Sequence, residues 1–377
     1  MNNKPSIYWF TSHRTRGELL NEVKKRITVH DHEQLKRVRY SKFSILKLFQ
    51  VFKYIKNNQI THLVIDSFAN VYFSVVIIAK INNVKVIIRI RGGMWNEYMD
   101  FIYKELFIKR WIKNVIRTAQ RNAILAIADT ILTVSIFGKT QILYECPYIN
   151  PKKINILIKH VSQVRLPIGH GRDKWKIKHE TSNGIITTVS GFNYKRKCEA
   201  ITYYSSSVIK CLKQHPKWKW IIIGDGKFID DIISHVFEKA RKDELPRNQI
   251  QFLGFKNNIE DILFSSDIFF YPSFRDAASQ ALKEAQAYGL PTIVNRSSGG
   301  PVEFIPSSTL GQKQLFEEHE ELEDLLISLI TDENLRHEIG WINKQHAAQK
   351  YTLKSYTDQF LDMLLTDTKR LPTLSGQ

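Results

Sequence analysis

Cysteine is scarce. The 377 residues hold three, Cys146, Cys198 and Cys211. They are odd in number and far apart, without the close spacing of a metal site. That excludes a disulfide framework and points to reduced thiols in a cytosolic setting. Long apolar runs are also lacking. The most apolar stretch, Val71 to Ala79, breaks at Lys80 and falls short of the roughly 20 residues that cross a bilayer. Met1-Asn2-Asn3-Lys4 runs straight into a short apolar strand, so no signal peptide is expected and any membrane contact should be peripheral. Short-period repeats, low-complexity segments, metal-ligand clusters and the signatures of RNA- or DNA-binding modules are all missing. Acid is in short supply too: 37 Asp and Glu face 55 Lys and Arg, a formal net charge of +18. Such a charge calls for anionic company, whether nucleotide phosphates, acidic lipid headgroups or nucleic acid.

What is present is a globular composition, 43% hydrophobic, and a length comfortable for two domains with their own cores. Short apolar strands alternate with helical periodicity: Ser6 to Phe10, Thr61 to Ile65, Val84 to Ile90, Thr130 to Ser135 and Ile154 to Ile158 in the first half. Ile185 to Val189, Trp218 to Ile223, Ile250 to Leu253, Asp267 to Tyr271 and Thr292 to Val294 follow in the second. Helices are expected at Ser44 to Lys56, Val71 to Lys80 and from Lys139. This alternation predicts an α/β fold, with parallel sheets covered by helices on both faces. The polar stretch from Pro167 to Gly184 marks a boundary. The expected domains are 1–170 and 171–350, with a C-terminal helix and tail at 351–377.

Residues 101–117 predict a basic amphipathic helix. Phe107, Trp111 and Val115 lie on one face, and Lys104, Lys109, Arg110, Lys113 and Arg117 surround it. The pattern suits either an anionic membrane surface or a helix whose apolar stripe faces the core. The polar loop Thr11 to Gly17 offers Arg14 and Arg16 to an anion, or is simply a solvated loop.

Tyr271 to Glu303 carries the most chemistry. An apolar strand leads to a polar loop containing Asp276, then to an Ala-, Leu- and Gln-rich helix that Gly289 and Pro291 stop. A second strand leads to Gly299, Gly300 and Glu303. Helix N-termini bind phosphates through free N–H groups and the helix dipole. Glycines let a loop approach a ligand closely, and nucleotides bind where strand ends of an open α/β sheet diverge. Glu284 is expected two turns into the helix. Taken singly, Asp276 reads equally as a helix cap and Glu284 as a solvated helix face; the whole constellation favours a binding site.

Asp276 and Glu284 have the spacing of the Glu-x7-Glu motif of retaining glycosyltransferases of family 4, and this chain resembles that family. Pro272-Ser273, Glu284-Ala285, Gly289-Leu290-Pro291 and Gly299-Gly300-Pro301 with Glu303 extend the resemblance, as do Ala128-Asp129, the Gly224-Asp225-Gly226 turn and Leu253-Gly254-Phe255. Departures stand beside them. The first acid is Asp rather than Glu, and Ala277-Ala278-Ser279 replaces the family's Gly-x-Gly. Arg91-Gly92 stands where a His–Gly pair is usual. There Arg91 serves either a phosphate or acceptor, or a structural ion pair.

The resemblance implies the GT-B fold: two Rossmann-like domains facing a cleft, with the last helix crossing back to the first. It implies a nucleotide-sugar donor, such as a UDP- or GDP-sugar, held mainly by the second domain, and a glycan or lipid-linked acceptor. Lys197 matches the family lysine on the diphosphate, with Arg196 beside it in place of a missing arginine; the same basic run also reads as a solvated charge cluster. Glu284 would take the ribose hydroxyls and Asp276 the sugar hydroxyls. Gly224, Asp225, Gly254, Ala277, Ala278, Gly299, Gly300, Glu303 and Arg91 would line the donor site. No metal is expected. Two alternatives remain: a sugar transferase directed at nucleic acid, and a non-catalytic subunit of the same fold.

Overall fold

In the computed structural model, the residues described are 5–10, 18–31, 45–66, 71–90, 92, 107–161 and 184–368. The chain forms two compact units. One joins Met1–Lys159 to Leu353–Gln377, and the other is His160–Thr352. The expected boundary at 170/171 falls outside the described residues; the units divide between Lys159 and His160.

The first unit runs β1 (Ser6–Phe10), α1 (Glu18–Arg26), β2 (Thr28–Asp31), α2 (Ile45–Asn57), β3 (His62–Ile65), α3 (Val71–Ile81), β4 (Lys85–Arg89), α4 (Phe107–Ile127), β5 (Thr130–Thr133), α5 (Ile136–Glu145) and β6 (Ile154–Ile156). Its six strands pair in the order β2-β1-β3-β4-β5-β6, all in parallel. Successive strand residues face opposite ways, so one sheet feeds two cores. Tyr8, Leu63, Ile65, Val86 and Ile88 pack under α2 and α3. Ile7, Trp9, Val64, Ile87 and Leu132 pack against α1 and the C-terminal helix (Leu353–Thr368), which brings Tyr356, Phe360 and Leu364. That helix therefore returns to the first unit.

A buried ion pair anchors it there. Arg89 Nη1 lies 3.0 Å from Asp66 Oδ1, and its Nη2 donates to the Tyr356 hydroxyl at 2.5 Å. The guanidinium sits 5.0 Å from the Trp9 ring centre, while Trp9 Nε1 donates to the other Asp66 oxygen at 3.2 Å.

The second unit runs β7 (Ile185–Val189), α6 (Lys195–Gln214), β8 (Lys219–Ile223), α7 (Ile229–Lys242), β9 (Ile250–Phe252), α8 (Glu260–Ser265), β10 (Ile268–Tyr271), α9 (Gln280–Ala287), β11 (Thr292–Asn295), α10 (Thr309–Gln312), β12 (Leu315–Phe316), α11 (His319–Thr331) and α12 (Glu333–Lys350). Its strand order is β12-β11-β10-β7-β8-β9, again parallel throughout. Ile186, Trp220, Ile222 and Phe270 lie in its main core. Trp220 Nε1 is satisfied at 3.0 Å by Thr188 Oγ1, which itself donates to the Phe270 carbonyl.

Two helix boundaries differ from expectation. The helix expected at 101–117 continues to Ile127; the Arg117–Thr118–Ala119–Gln120 passage holds no breaker. The helix expected from Lys139 starts at Ile136, because Ser135 caps it by accepting the Gly138 N–H at 2.9 Å. Two short strands, β2 and β12, went unforeseen: a strand of four residues and one of two give too little alternation to read.

Candidate active site

All strands of the second sheet point the same way, so their carboxyl ends share one edge. There β7 lies between β10 and β8, and the connections after β7 and β10 leave towards opposite sides. That divergence makes the crevice in which open α/β sheets bind ligands.

One wall of the crevice is glycine. Gly224 has φ +145°, and a Cβ there would come within 1.9 Å of the Ser190 carbonyl oxygen. Gly226 has φ +151°, and its Cβ would meet the Phe192 backbone at 2.4 Å. Only glycine lets the turn after β8 lie this close to the turn after β7. The Gly224 N–H donates to the Gly254 carbonyl at 3.0 Å, which draws in the turn after β9. The result is a cavity of about 500 Å³ bordered by Ser190, Gly191, Asn193, Asp225, Gly226 and Phe255. Phe255 is 67% exposed, a bare ring at the rim.

The second wall joins the loops after β10 and β11. Asp276 N–H donates to the Ser298 carbonyl at 2.7 Å, and the Gly300 N–H donates to the Asp276 carbonyl at 3.0 Å. Gly299, at φ +82°, makes the bend that permits this bridge. The Asp276 side chain is buried. Its Oδ2 accepts from Lys197 Nζ at 2.8 Å and from the Tyr271 hydroxyl. Lys197 comes from the first turn of α6, on the far side of β7, so the ion pair spans the divergence point. Burial pushes the Tyr271 phenol well above its ordinary pKa, and the Asp276 charge adds to the shift.

Several expected residues fall elsewhere. Asp276 is not the helix cap: Ser279 is, its side chain accepting the Leu282 N–H at 3.1 Å. The helix thus starts at Gln280, and Glu284 lies one turn into it rather than two. Glu284 is half-buried, Ala277 buried, Ala278 half-buried and Glu303 exposed. Arg196 is not brought to Asp276. Neighbours on a helix point about 100° apart, and Arg196, exposed, pairs with Glu199 at 3.2 Å beside a separate groove with Thr202, Tyr203 and His235. Arg91, Arg14 and Arg16 lie outside the described residues. Among the described residues, no group of three or more His, Cys, Asp or Glu side chains is placed to hold a metal ion.

Two contributors were not foreseen. Tyr271 reads in sequence as the last residue of an apolar strand. Asn295, fully buried, ends β11 and steadies both loops: its Oδ1 accepts the Ser297 N–H at 2.7 Å and its Nδ2 approaches the Pro272 carbonyl at 3.4 Å. A polar residue closing an apolar strand was the available signal.

Residues 172–346 match the family of glycosyl transferases group 1. Over this stretch the chain is similar to a group 1 glycosyltransferase domain. The stretch contains both walls of the crevice. Part of the chain is 28% identical over 156 residues to an Escherichia coli enzyme, UDP-Gal:alpha-D-GlcNAc-diphosphoundecaprenol alpha-1,3-galactosyltransferase, covering 40% of this chain and 39% of that one. The match thus spans well under half of that curated relative. A glycosyltransferase structure from Rickettsia africae superposes with TM-score 0.67 at 18% identity, covering 98% of this chain and all (100%) of the other. HepE of Anabaena, solved with UDP and glucose, gives TM-score 0.66 at 15% identity, with 97% and 100% covered. These likenesses show the GT-B fold. The matched stretch holds the Lys197–Asp276 pair, the glycine wall and the helix bearing Glu284.

Proposed function

We propose that the chain is a retaining, metal-independent glycosyltransferase that moves a sugar from a nucleotide-sugar donor to a glycan or lipid-linked acceptor. The observation that carries this reading is a lysine held by a buried carboxylate at the divergence point of the sheet, in a unit whose turns after β7 and β8 border a glycine-walled cavity of about 500 Å³. The exposed Phe255 ring offers a stacking surface to the base. Gly224 and Gly226 let the backbone lie against the nucleotide. Glu284 takes the ribose hydroxyls, and the Asp276–Ala278 loop, Gly299, Gly300 and Glu303 border the sugar.

In the reaction the bond from the anomeric carbon to the diphosphate breaks, the acceptor hydroxyl oxygen bonds to that carbon, and its proton leaves with the diphosphate or to water. Charge grows on the departing diphosphate, and the Lys197 ammonium, already fixed, stabilises it without reorganising. A UDP-sugar is the favoured donor, supported by the UDP-bound Anabaena structure and by the UDP-Gal donor of the Escherichia coli relative. The diphosphoundecaprenol acceptor of that relative supports a lipid-linked one. No helix of the described residues is long and apolar enough to cross a membrane. We place the contact with an anionic leaflet on residues 101–117, where Val115 and Ile116 are 47% and 50% exposed.

The test is thermal shift against UDP-, GDP- and ADP-sugars, followed by transfer of the stabilising sugar to a polyprenyl-diphosphate acceptor. A wild-type chain that no nucleotide stabilises would sink the reading.

A further inference from the structure

The phenol of Tyr271 reaches the same Asp276 oxygen that holds the Lys197 cation. Tyr271 ends β10 and is 2% exposed. Its hydroxyl is hydrogen-bonded to Asp276 Oδ2. Ser279 Oγ accepts the Leu282 N–H at 3.1 Å, capping the helix that carries Glu284. From the other side, Lys197 Nζ reaches the same Asp276 oxygen at 2.8 Å.

The phenol's single proton goes to Asp276, whose carboxylate oxygens are acceptors. The phenol remains protonated across the working pH range, since burial and the neighbouring carboxylate both disfavour its ionisation. Packing does not explain the hydroxyl. Ile268, Phe269 and Phe270, the rest of β10, are fully buried and wholly apolar; phenylalanine would fill the Tyr271 site equally well except for one oxygen.

We infer that Tyr271 is a positioning residue for the donor: its hydroxyl clamps the Asp276 carboxylate, which aims the Lys197 ammonium. The inference rests on the nucleotide-sugar reading above. Lysine has four rotatable bonds and no fixed direction of its own. Held at one oxygen of a carboxylate that a second donor immobilises, its charge has a defined place before the diphosphate arrives. Asp276 and Tyr271 then form a matched set. The short acid leaves room that the phenol oxygen fills, and a glutamate there would need that room back.

Titration calorimetry of the full chain with UDP, GDP and ADP, all without sugar, tests this in four proteins: wild type, Tyr271→Phe, Lys197→Ala and the double variant. Tyr271→Phe should fold and bind the preferred diphosphate about tenfold more weakly, the size of one hydrogen bond to a charged group. In the Lys197→Ala background the same change should add nothing, because it acts through the lysine. Asp276→Glu should weaken binding alone and regain part of it when combined with Tyr271→Phe. If Tyr271→Phe does not fold, Asp276→Asn keeps the acid's shape without its charge and should lose about tenfold, again only while Lys197 is present. Equal losses from Tyr271→Phe with and without Lys197 would make the role merely structural and overturn the inference, as would wild-type affinity in Tyr271→Phe. A wild type that binds none of the three overturns the donor reading, and the inference with it.

Discussion

Gly224 and Gly254 are hydrogen-bonded to each other and both have positive φ, yet alanine should be tolerated very differently at the two. At Gly224, φ is +145°, outside the region an L-residue enters readily, and the new Cβ would sit 1.9 Å from the Ser190 carbonyl oxygen. Ordinary contact begins near 3.4 Å, so the strand-end turns must separate by about 1.5 Å. Backbone strain of roughly 1–3 kcal/mol and overpacking of a similar size put Gly224→Ala at about 4 kcal/mol. At Gly254, φ is +65° and a Cβ meets nothing within 4 Å. The left-handed penalty alone, roughly 1–2 kcal/mol, applies there. For a unit of this size each kcal/mol moves Tm by roughly 2–4 °C. Scanning calorimetry should therefore show Gly224→Ala melting about 8 °C below Gly254→Ala. At a temperature where both are folded, only Gly224→Ala should lose UDP binding, because the parted turns form the cavity wall. Equal melting temperatures, or intact binding in Gly224→Ala, would refute the close approach of the turns and the use of that cavity.

Lys197→Ala removes the cation and leaves Asp276 buried without it; kcat should fall at least 100-fold, with Tm lowered by a few degrees. Glu284→Ala should raise KM for the donor more than it lowers kcat, if it binds ribose and not the reacting carbon. Turnover should survive excess EDTA, and its abolition would refute metal independence. Burial, and then the Lys350 charge, hold the His346 pKa below its ordinary 6.5. The unfolded chain then takes up this proton at higher pH than the folded one, so the His346 contribution is intact above 6.5 and drains away as pH falls below it. His346→Gln should flatten part of the acid-side decline in Tm. Burial pushes the Cys198 and Cys211 thiols up to about 12, so neither should react with a thiol reagent at pH 8 until denaturant opens the unit.

The second half was the more legible part of the sequence. Its strands are apolar runs bounded by glycine, and Gly224-Asp225-Gly226 and Gly299-Gly300 announce turns that no other residue makes as easily. Lys197 and Asp276 were each nameable, but not their pairing, since 79 residues separate them and only the divergence of β7 and β10 brings them together. Arg196 beside Lys197 shows the limit of reading a basic run as one unit: helical rotation sends its charge to another surface. The helix start was misplaced because Asp276 was read as the cap while Ser279, three residues on, also has a capping side chain, and the Gly299 bridge holds Asp276 away from the helix. Tyr271 carried no pattern, as a single polar atom on a buried strand leaves the apolar periodicity unchanged, and Asn295 showed only as a polar residue closing an apolar strand.

The path of the chain also constrains the order of its birth. The first unit lacks its closing helix until Leu353–Thr368 has been made. A growing polypeptide therefore completes the later-encoded unit while the earlier one still shows Trp9 and its neighbours to solvent, with Arg89 lacking the Tyr356 hydroxyl. Emergence of Leu353–Thr368 from the ribosome is what lets the part translated first become whole. A premature stop before Leu353 should accordingly damage the amino-terminal half.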